Sequence, residues 1–237
     1  MSGQEPKITG SRAASVLAVA LVVLSCGRDA PSPEAAGAAP EAVSRDSRAV
    51  VLFVGTSLTA GYGLDPALAY PALIQQRIDE ARLPFRVVNA GVSGETSAGS
   101  LRRVDWVFSR EHPSVLVLET GANDGLRGQD PDTLAANIHA IFDRARVLDP
   151  APRLVLLAME ALPNLGERYV TLFRDLYPEV ASQSGAVLVP FFLDGVAGVD
   201  SLNQPDGIHP TARGHRIAAE NVWVVLEDVL REVVENR

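Results

Sequence analysis

Two rhythms of apolar positions alternate along the chain from residue 48 onward. Short, mostly apolar runs occupy 49–54, 85–89, 115–119, 154–159 and 186–191. Runs of this kind read as strands buried on both faces of a parallel sheet. Between them, 71–82, 98–109, 132–148, 169–184 and 211–234 carry apolar residues at helical spacing. Leu73, Ile74, Ile78 and Ala81 share one side of the first helix, and Ile217, Val222, Val225 and Val229 fall among the apolar positions of the last. Arg102, Arg103 and Asp105 are expected on the wet face of the second helix, and Pro178 is expected to interrupt or bend the fourth. Strand and helix alternating at this spacing predict an α/β fold: a five-stranded parallel sheet in a three-layer α/β/α sandwich with right-handed crossovers. Ligands bind such sheets at the carboxyl ends of the strands. Ser57, Asn89, Asn123 and Met159 fall at or just after those ends, so they converge on one rim.

The segment before residue 48 follows neither rhythm. Lys7 and Arg12 precede an apolar run at 13–24, too short for a comfortable membrane span but suited to a signal-peptide core. Leu24-Ser25-Cys26-Gly27 resembles a bacterial lipoprotein processing box, in which the cysteine becomes the lipidated first residue. An ordinary secretory signal with an incidental Cys26 is the alternative. The resemblance implies a lipid anchor at Cys26 on the periplasmic side of the envelope. Gly27, standing where aspartate favours inner-membrane retention, leans towards the outer membrane; without lipidation the protein is periplasmic or secreted. Residues 27–48 are rich in Ala, Pro, Glu and Ser without periodicity and read as a flexible tether. The expected organisation is a signal peptide at 1–25, a tether at 26–48 and one domain at 49–237.

Composition narrows the class. Of 237 residues 47% are hydrophobic and 21% charged, as in a globular chain with a sizeable core. A formal net charge of −8 gives no electrostatic case for nucleic acid or for an anionic membrane surface. Cys26 is the single cysteine, so no intramolecular disulfide forms. A phosphate-binding Gly-Lys-Ser loop is missing, so no nucleotide cofactor is inferred. His112, His139 and His215 lack metal-ligand spacing, and no metal is assigned.

The chemistry lies in four ordered blocks. Gly55-Thr56-Ser57-Leu58-Thr59-Ala60-Gly61-Tyr62 supplies a serine just beyond the first strand, and Asp206-Gly207-Ile208-His209-Pro210 supplies a histidine three residues after a carboxylate. A serine hydroxyl becomes a nucleophile when a base removes its proton; His209 is the best base, with Asp206 placed to fix its tautomer. Between them, Asn89-Ala90-Gly91-Val92-Ser93-Gly94 and Gly121-Ala122-Asn123-Asp124-Gly125 offer donors for an oxyanion, namely the Gly94 N–H and the Asn123 amide. Alone, Ser57 reads as a turn-capping hydroxyl, Asp206 and His209 as a polar loop, Gly94 as a loop glycine and Asn123 as a turn. Four blocks in order favour catalysis.

These blocks resemble the SGNH (GDSL) hydrolase superfamily, whose name lists its Ser, Gly, Asn and His. The resemblance runs over about 50–230 and is nearest the thioesterase I, lysophospholipase and arylesterase group. It implies a flavodoxin-like sandwich, Ser57 as nucleophile, His209 as base and Asp206 as its orienter. It also implies an oxyanion hole of the Ser57 N–H, the Gly94 N–H and the Asn123 side chain. Thr56 departs from the family, which carries aspartate there; its hydroxyl can still make a local turn hydrogen bond. The Gly125-Leu126-Arg127-Gly128 loop corresponds to one that moves over acyl chains in this group. Leu126, Leu162 and Leu165 are expected to line an acyl groove, and Phe192 is either groove or core. The expected activity is hydrolysis of small acyl or aryl esters, acyl thioesters or lysophospholipids. A carbohydrate O-deacetylase of the same fold and a non-catalytic acyl-binding envelope lipoprotein are the alternatives.

Overall fold

The computed structural model of the chain describes residues 47–236. The expected signal peptide, Cys26 and all but the last two residues of the tether lie outside the described residues.

Five strands form one parallel sheet in the order β2-β1-β3-β4-β5: β1 (Ala49–Gly55), β2 (Phe85–Gly91), β3 (Pro113–Glu119), β4 (Arg153–Leu157) and β5 (Val187–Val189). This is the flavodoxin-like order expected of a doubly wound sheet. Central strands β1, β3 and β4 are almost wholly buried, so their apolar runs are nearly unbroken, whereas edge strand β2 is half-buried and mixed. Strand β5 is shorter than the 186–191 expected. Pro190 follows it and has no N–H to continue the ladder.

Among the described residues the α-helices are α1 (Ser57–Ala60), α2 (Tyr70–Glu80), α3 (Ser97–Arg110), α4 (Ala122–Leu126), α5 (Pro131–Arg146) and α6 (Glu167–Ser184), which lie between strands, and α7 (Ala212–Glu235), which follows β5. Helices α2 and α7 pack side by side, and α5 packs between α3 and α6. Helix α5 shows how sequence sets such an element. The Asp130 side chain caps the Asp132 N–H, Pro131 opens the first turn, and Arg144 and Arg146 close the last against the helix dipole. Of the expected interruption or bend, the interruption does not occur: helix α6 runs unbroken through Pro178. Pro178 and Arg174, four residues earlier, are both exposed, so water can satisfy the carbonyl that proline leaves unpaired.

Arg103 corrects another expectation. It does not face water; its guanidinium turns inward onto the Glu95 carboxylate, at 2.7 Å, and the Ala90 carbonyl, at 2.7 Å. It thereby ties α3 to the end of β2.

Candidate active site

The carboxyl ends of β1 and β3 carry the short helices α1 and α4, and the sequence explains their tight seating. Thr56 takes the N-cap of α1, and Gly61, with φ 73°, ends it after one turn. A side chain at Gly55 would collide with the Thr59 hydroxyl and the Glu119 carboxylate. Glycine is required there for space.

Ser57 is the first residue of α1 and is 8% exposed. Its Oγ lies 2.9 Å from His209 Nε2, across 152 residues of sequence. His209 Nδ1 lies 2.7 Å from Asp206 Oδ2. Asp206 Oδ1 accepts the backbone N–H of Ile208 at 2.9 Å and of His209 at 3.0 Å. These bonds hold the Asp206 carboxyl at about 2, the His209 N–H contributing most, then its ring, then the Ile208 N–H. The loop is closed by an isolated bridge between Asn203 and Pro210 and by the Gln204 N–H on the His209 carbonyl at 2.7 Å. The Tyr62 ring lies 4.6 Å from the His209 ring, tilted by 41°.

Gly94 and Asn123 meet on the other side. Gly94 has φ 78° and nothing within 4 Å of where a side chain would start, so its backbone angle, not crowding, calls for glycine. The Asn123 Nδ2 donates to the Glu95 carbonyl at 3.0 Å, and Arg127 donates to the Gly94 carbonyl at 3.1 Å. Asn89, read as a rim residue, instead sits within β2 and donates to the Thr59 carbonyl at 2.7 Å, holding α1 in place.

A cavity of about 470 Å³ opens beside Ser57, Gly94, Asn123 and His209. Leu126 and Leu162 line it, with Met159, Ala161 and Phe191. One expectation changes and one open alternative is decided. Leu165 is not in the lining but packs on the core, and Pro163 takes its place. A single-turn 3-10 helix, Pro163–Leu165, puts the two on different sides. Phe192 is fully buried core, and its neighbour Phe191 faces the cavity. Among the described residues no Lys or Arg lines the cavity, and Glu160 is its one carboxylate. No cluster of three or more His, Cys, Asp or Glu among the described residues could hold a metal ion.

Sequence reasoning missed Glu119, fully buried at the end of β3. The available signal was a carboxylate closing the otherwise apolar Val115-Leu116-Val117-Leu118 run.

Residues 53–217 match the model of the GDSL-like lipase/acylhydrolase family. The chain belongs to this family. Esterase TesA of Pseudomonas aeruginosa is 42% identical over 180 residues, covering 76% of this chain and 89% of that protein. Thioesterase 1/protease 1/lysophospholipase L1 of Escherichia coli K12 is 34% identical over 160 residues, covering 68% of this chain and 74% of that protein. The crystal structure of TesA superposes with a TM-score of 0.72 at 41% identity, covering 76% of this chain and 98% of the other. The psychrotrophic esterase EstA from Pseudoalteromonas sp., solved inhibited by monoethylphosphonate, gives a TM-score of 0.72 at 29% identity, covering 77% of this chain and 98% of the other. The GDSL relatives thus carry the names esterase, arylesterase, thioesterase and lysophospholipase, and their fold is the one described above.

Proposed function

We propose that the protein is a serine esterase that works through an acyl-enzyme. Ser57 attacks the acyl carbonyl as His209 takes its proton, and Asp206 holds the imidazole and stabilises its charged form. The Ser57 and Gly94 N–H groups and the Asn123 side chain receive the oxyanion. His209 then protonates the departing alcohol or thiol. It next accepts a proton from the water that attacks the acyl-enzyme, and collapse releases the acid and restores Ser57.

The single observation that carries this reading is the unbroken chain of contacts from Ser57 Oγ through His209 to Asp206, at 2.9 and 2.7 Å, opening on an apolar cavity. The names of the GDSL relatives support it. The substrates we propose are short- to medium-chain acyl esters and aryl esters, with acyl thioesters and lysophospholipids as further members, the acyl chain lying on Leu126 and Leu162. A sugar would set its hydroxyls against leucine, methionine and phenylalanine, so the lining favours acyl chains over a carbohydrate deacetylase.

The test is hydrolysis of p-nitrophenyl acetate through decanoate by the full chain beside Ser57→Ala. Activity lost in the variant is the expected result, and its chain-length profile names the acyl group. Equal rates for the two proteins across the series would overturn the reading. We also propose, from the sequence pattern alone, that Cys26 is lipidated and anchors the enzyme in the cell envelope. Mass spectrometry of the mature chain, with and without Cys26→Ser, tests it: no acyl mass on the parent would refute the anchor.

A further inference from the structure

The proposed mechanism leaves one buried carboxylate unused. Glu119 ends the central strand β3 with no exposed surface. Its Oε2 accepts the Thr56 N–H at 2.8 Å and the Thr59 hydroxyl at 2.9 Å. The Thr56 hydroxyl donates to the same carboxylate, 3.1 Å from one oxygen and 3.0 Å from the other. The Tyr70 hydroxyl lies 2.8 Å from Thr59 Oγ1; when it donates there, the Thr59 proton is left for Glu119. The partners therefore all donate, which is what an ionised, acceptor-only carboxylate needs. Burial pushes this carboxyl above the ordinary range, and the bonds from Thr56 and Thr59 oppose that push.

The two threonines bracket Ser57. Thr56 immediately precedes it and caps the Leu58 N–H, and Thr59 lies in the same single turn. We propose that Glu119 is the positioning residue of the nucleophile: by gripping Thr56 and Thr59 it fixes the turn that keeps the Ser57 hydroxyl within reach of His209. The inference rests on the role of Ser57 proposed above. It also gives Thr56 a purpose. Its hydroxyl and its N–H both donate to the buried carboxylate, so threonine supplies two neutral donors to that anion.

The experiment measures burst and steady-state hydrolysis of p-nitrophenyl butyrate by the full chain. The variants are Ser57→Ala, Glu119→Gln, Thr56→Val and Thr56→Ser, each with a thermal unfolding curve. Misplacing a reacting group by about 1 Å costs roughly a hundredfold, which sets the scale expected for the acylation rate of Glu119→Gln. Thr56→Val falls in the same direction, KM stays near the parent value in both, and Thr56→Ser, which keeps the hydroxyl, restores the rate. A purely structural role would lower the melting temperature but leave kcat per burst-titrated site intact. Parent-like kcat in folded Glu119→Gln or in Thr56→Val overturns the inference, as does a Thr56→Ser variant as slow as Thr56→Val. Where Glu119→Gln does not fold, the two Thr56 variants decide. Activity surviving in Ser57→Ala overturns the esterase mechanism itself, which separates the two failures.

Discussion

The Asp124 carboxylate holds Ser97 twice, accepting its backbone N–H at 2.9 Å and its hydroxyl at 2.6 Å. Ser97 opens α3 three residues after Gly94, and Asp124 follows Asn123 in α4. The contact therefore fastens the loop bearing one proposed oxyanion donor to the helix bearing the other. Asn137 braces it by donating to Ser97 Oγ at 2.9 Å. Removing the carboxylate strands buried donors, at a cost of about 1–3 kcal/mol, and lets the two donors drift apart. Asp124→Ala is expected to lose that much stability in urea unfolding and to lower kcat more than it raises KM. An unchanged kcat in the folded variant would show that the loops keep their spacing without it.

Asn123 has two side-chain protons, and one is spent on the Glu95 carbonyl. The other remains for the oxyanion. Loss of one such donor typically slows turnover about a hundred- to a thousandfold, so Asn123→Ala is expected in that range with KM little changed. Steady-state kinetics on an aryl ester checks it, and full turnover would remove Asn123 from the mechanism.

What the sequence revealed follows how local each signal is. Asp206 and His209 lie three residues apart, so their pairing was visible in the chain itself. Strands β1 and β3 were legible because burial on both faces leaves continuous apolar runs. Helices α1 and α4, of four and five residues, are too short to show a period. Glu119 showed only as a carboxylate closing an apolar run, and its role was hidden because its partners lie 63 and 60 residues away. Arg103 sits where helical spacing predicts a wet face. The Glu95 carboxylate on the neighbouring loop turns it inward, a tertiary effect that periodicity does not contain.

Thr120 offers a stabilising change. It is fully buried beside Glu119, and its hydroxyl has no hydrogen-bond partner among the described residues. Its carbonyl is satisfied by the Tyr177 hydroxyl at 2.8 Å, which a substitution of the side chain leaves in place. Valine has nearly the same shape without the stranded oxygen. Thr120→Val is expected to gain about 1 kcal/mol, or a few degrees in Tm for a domain of this size. Calorimetry reads the gain; a lowered Tm would mean that the hydroxyl has a partner in solution.

Asp206 is held at about 2 by its bonds to His209 and Ile208, against an ordinary value of 3.8. It is a carboxylate wherever an esterase works, so acid loss of activity above that value reports a group other than Asp206. Between 3.8 and about 2 the unfolded chain takes up this proton first, so its stabilising contribution is present above that window and lost within it. That contribution is small, because the side chain is 39% exposed. Its larger effect falls on the rate. In serine proteases the equivalent Asp→Asn change costs about ten-thousandfold in kcat, and water reaching this exposed pair is expected to soften the loss in Asp206→Asn. A pH–rate profile of parent and variant measures it, and a variant with parent kcat would mean that Asp206 does not orient the base.

His215 makes a sharper pH prediction because it is buried. Its Nδ1 accepts the Tyr70 N–H at 3.2 Å, and its ring stacks near the Tyr70 ring at 6.3 Å. Burial first, and repulsion from His209 second, lower it from 6.5 to about 4. As pH falls through 6.5 the unfolded chain takes up a proton, whereas the folded chain does so near 4. Stability from this group is therefore complete above 6.5, declines between 6.5 and about 4, and falls no further below that. At about 1.4 kcal/mol per unit the full loss approaches roughly 3 kcal/mol. His215→Gln keeps an acceptor for the Tyr70 N–H and does not titrate. Urea midpoints measured from neutral pH down to 4 are expected to fall more steeply for the parent than for the variant, since the other titrating groups are common to both. Parallel slopes would show that the imidazole is already charged inside the folded protein, with the Tyr70 N–H then left without its acceptor.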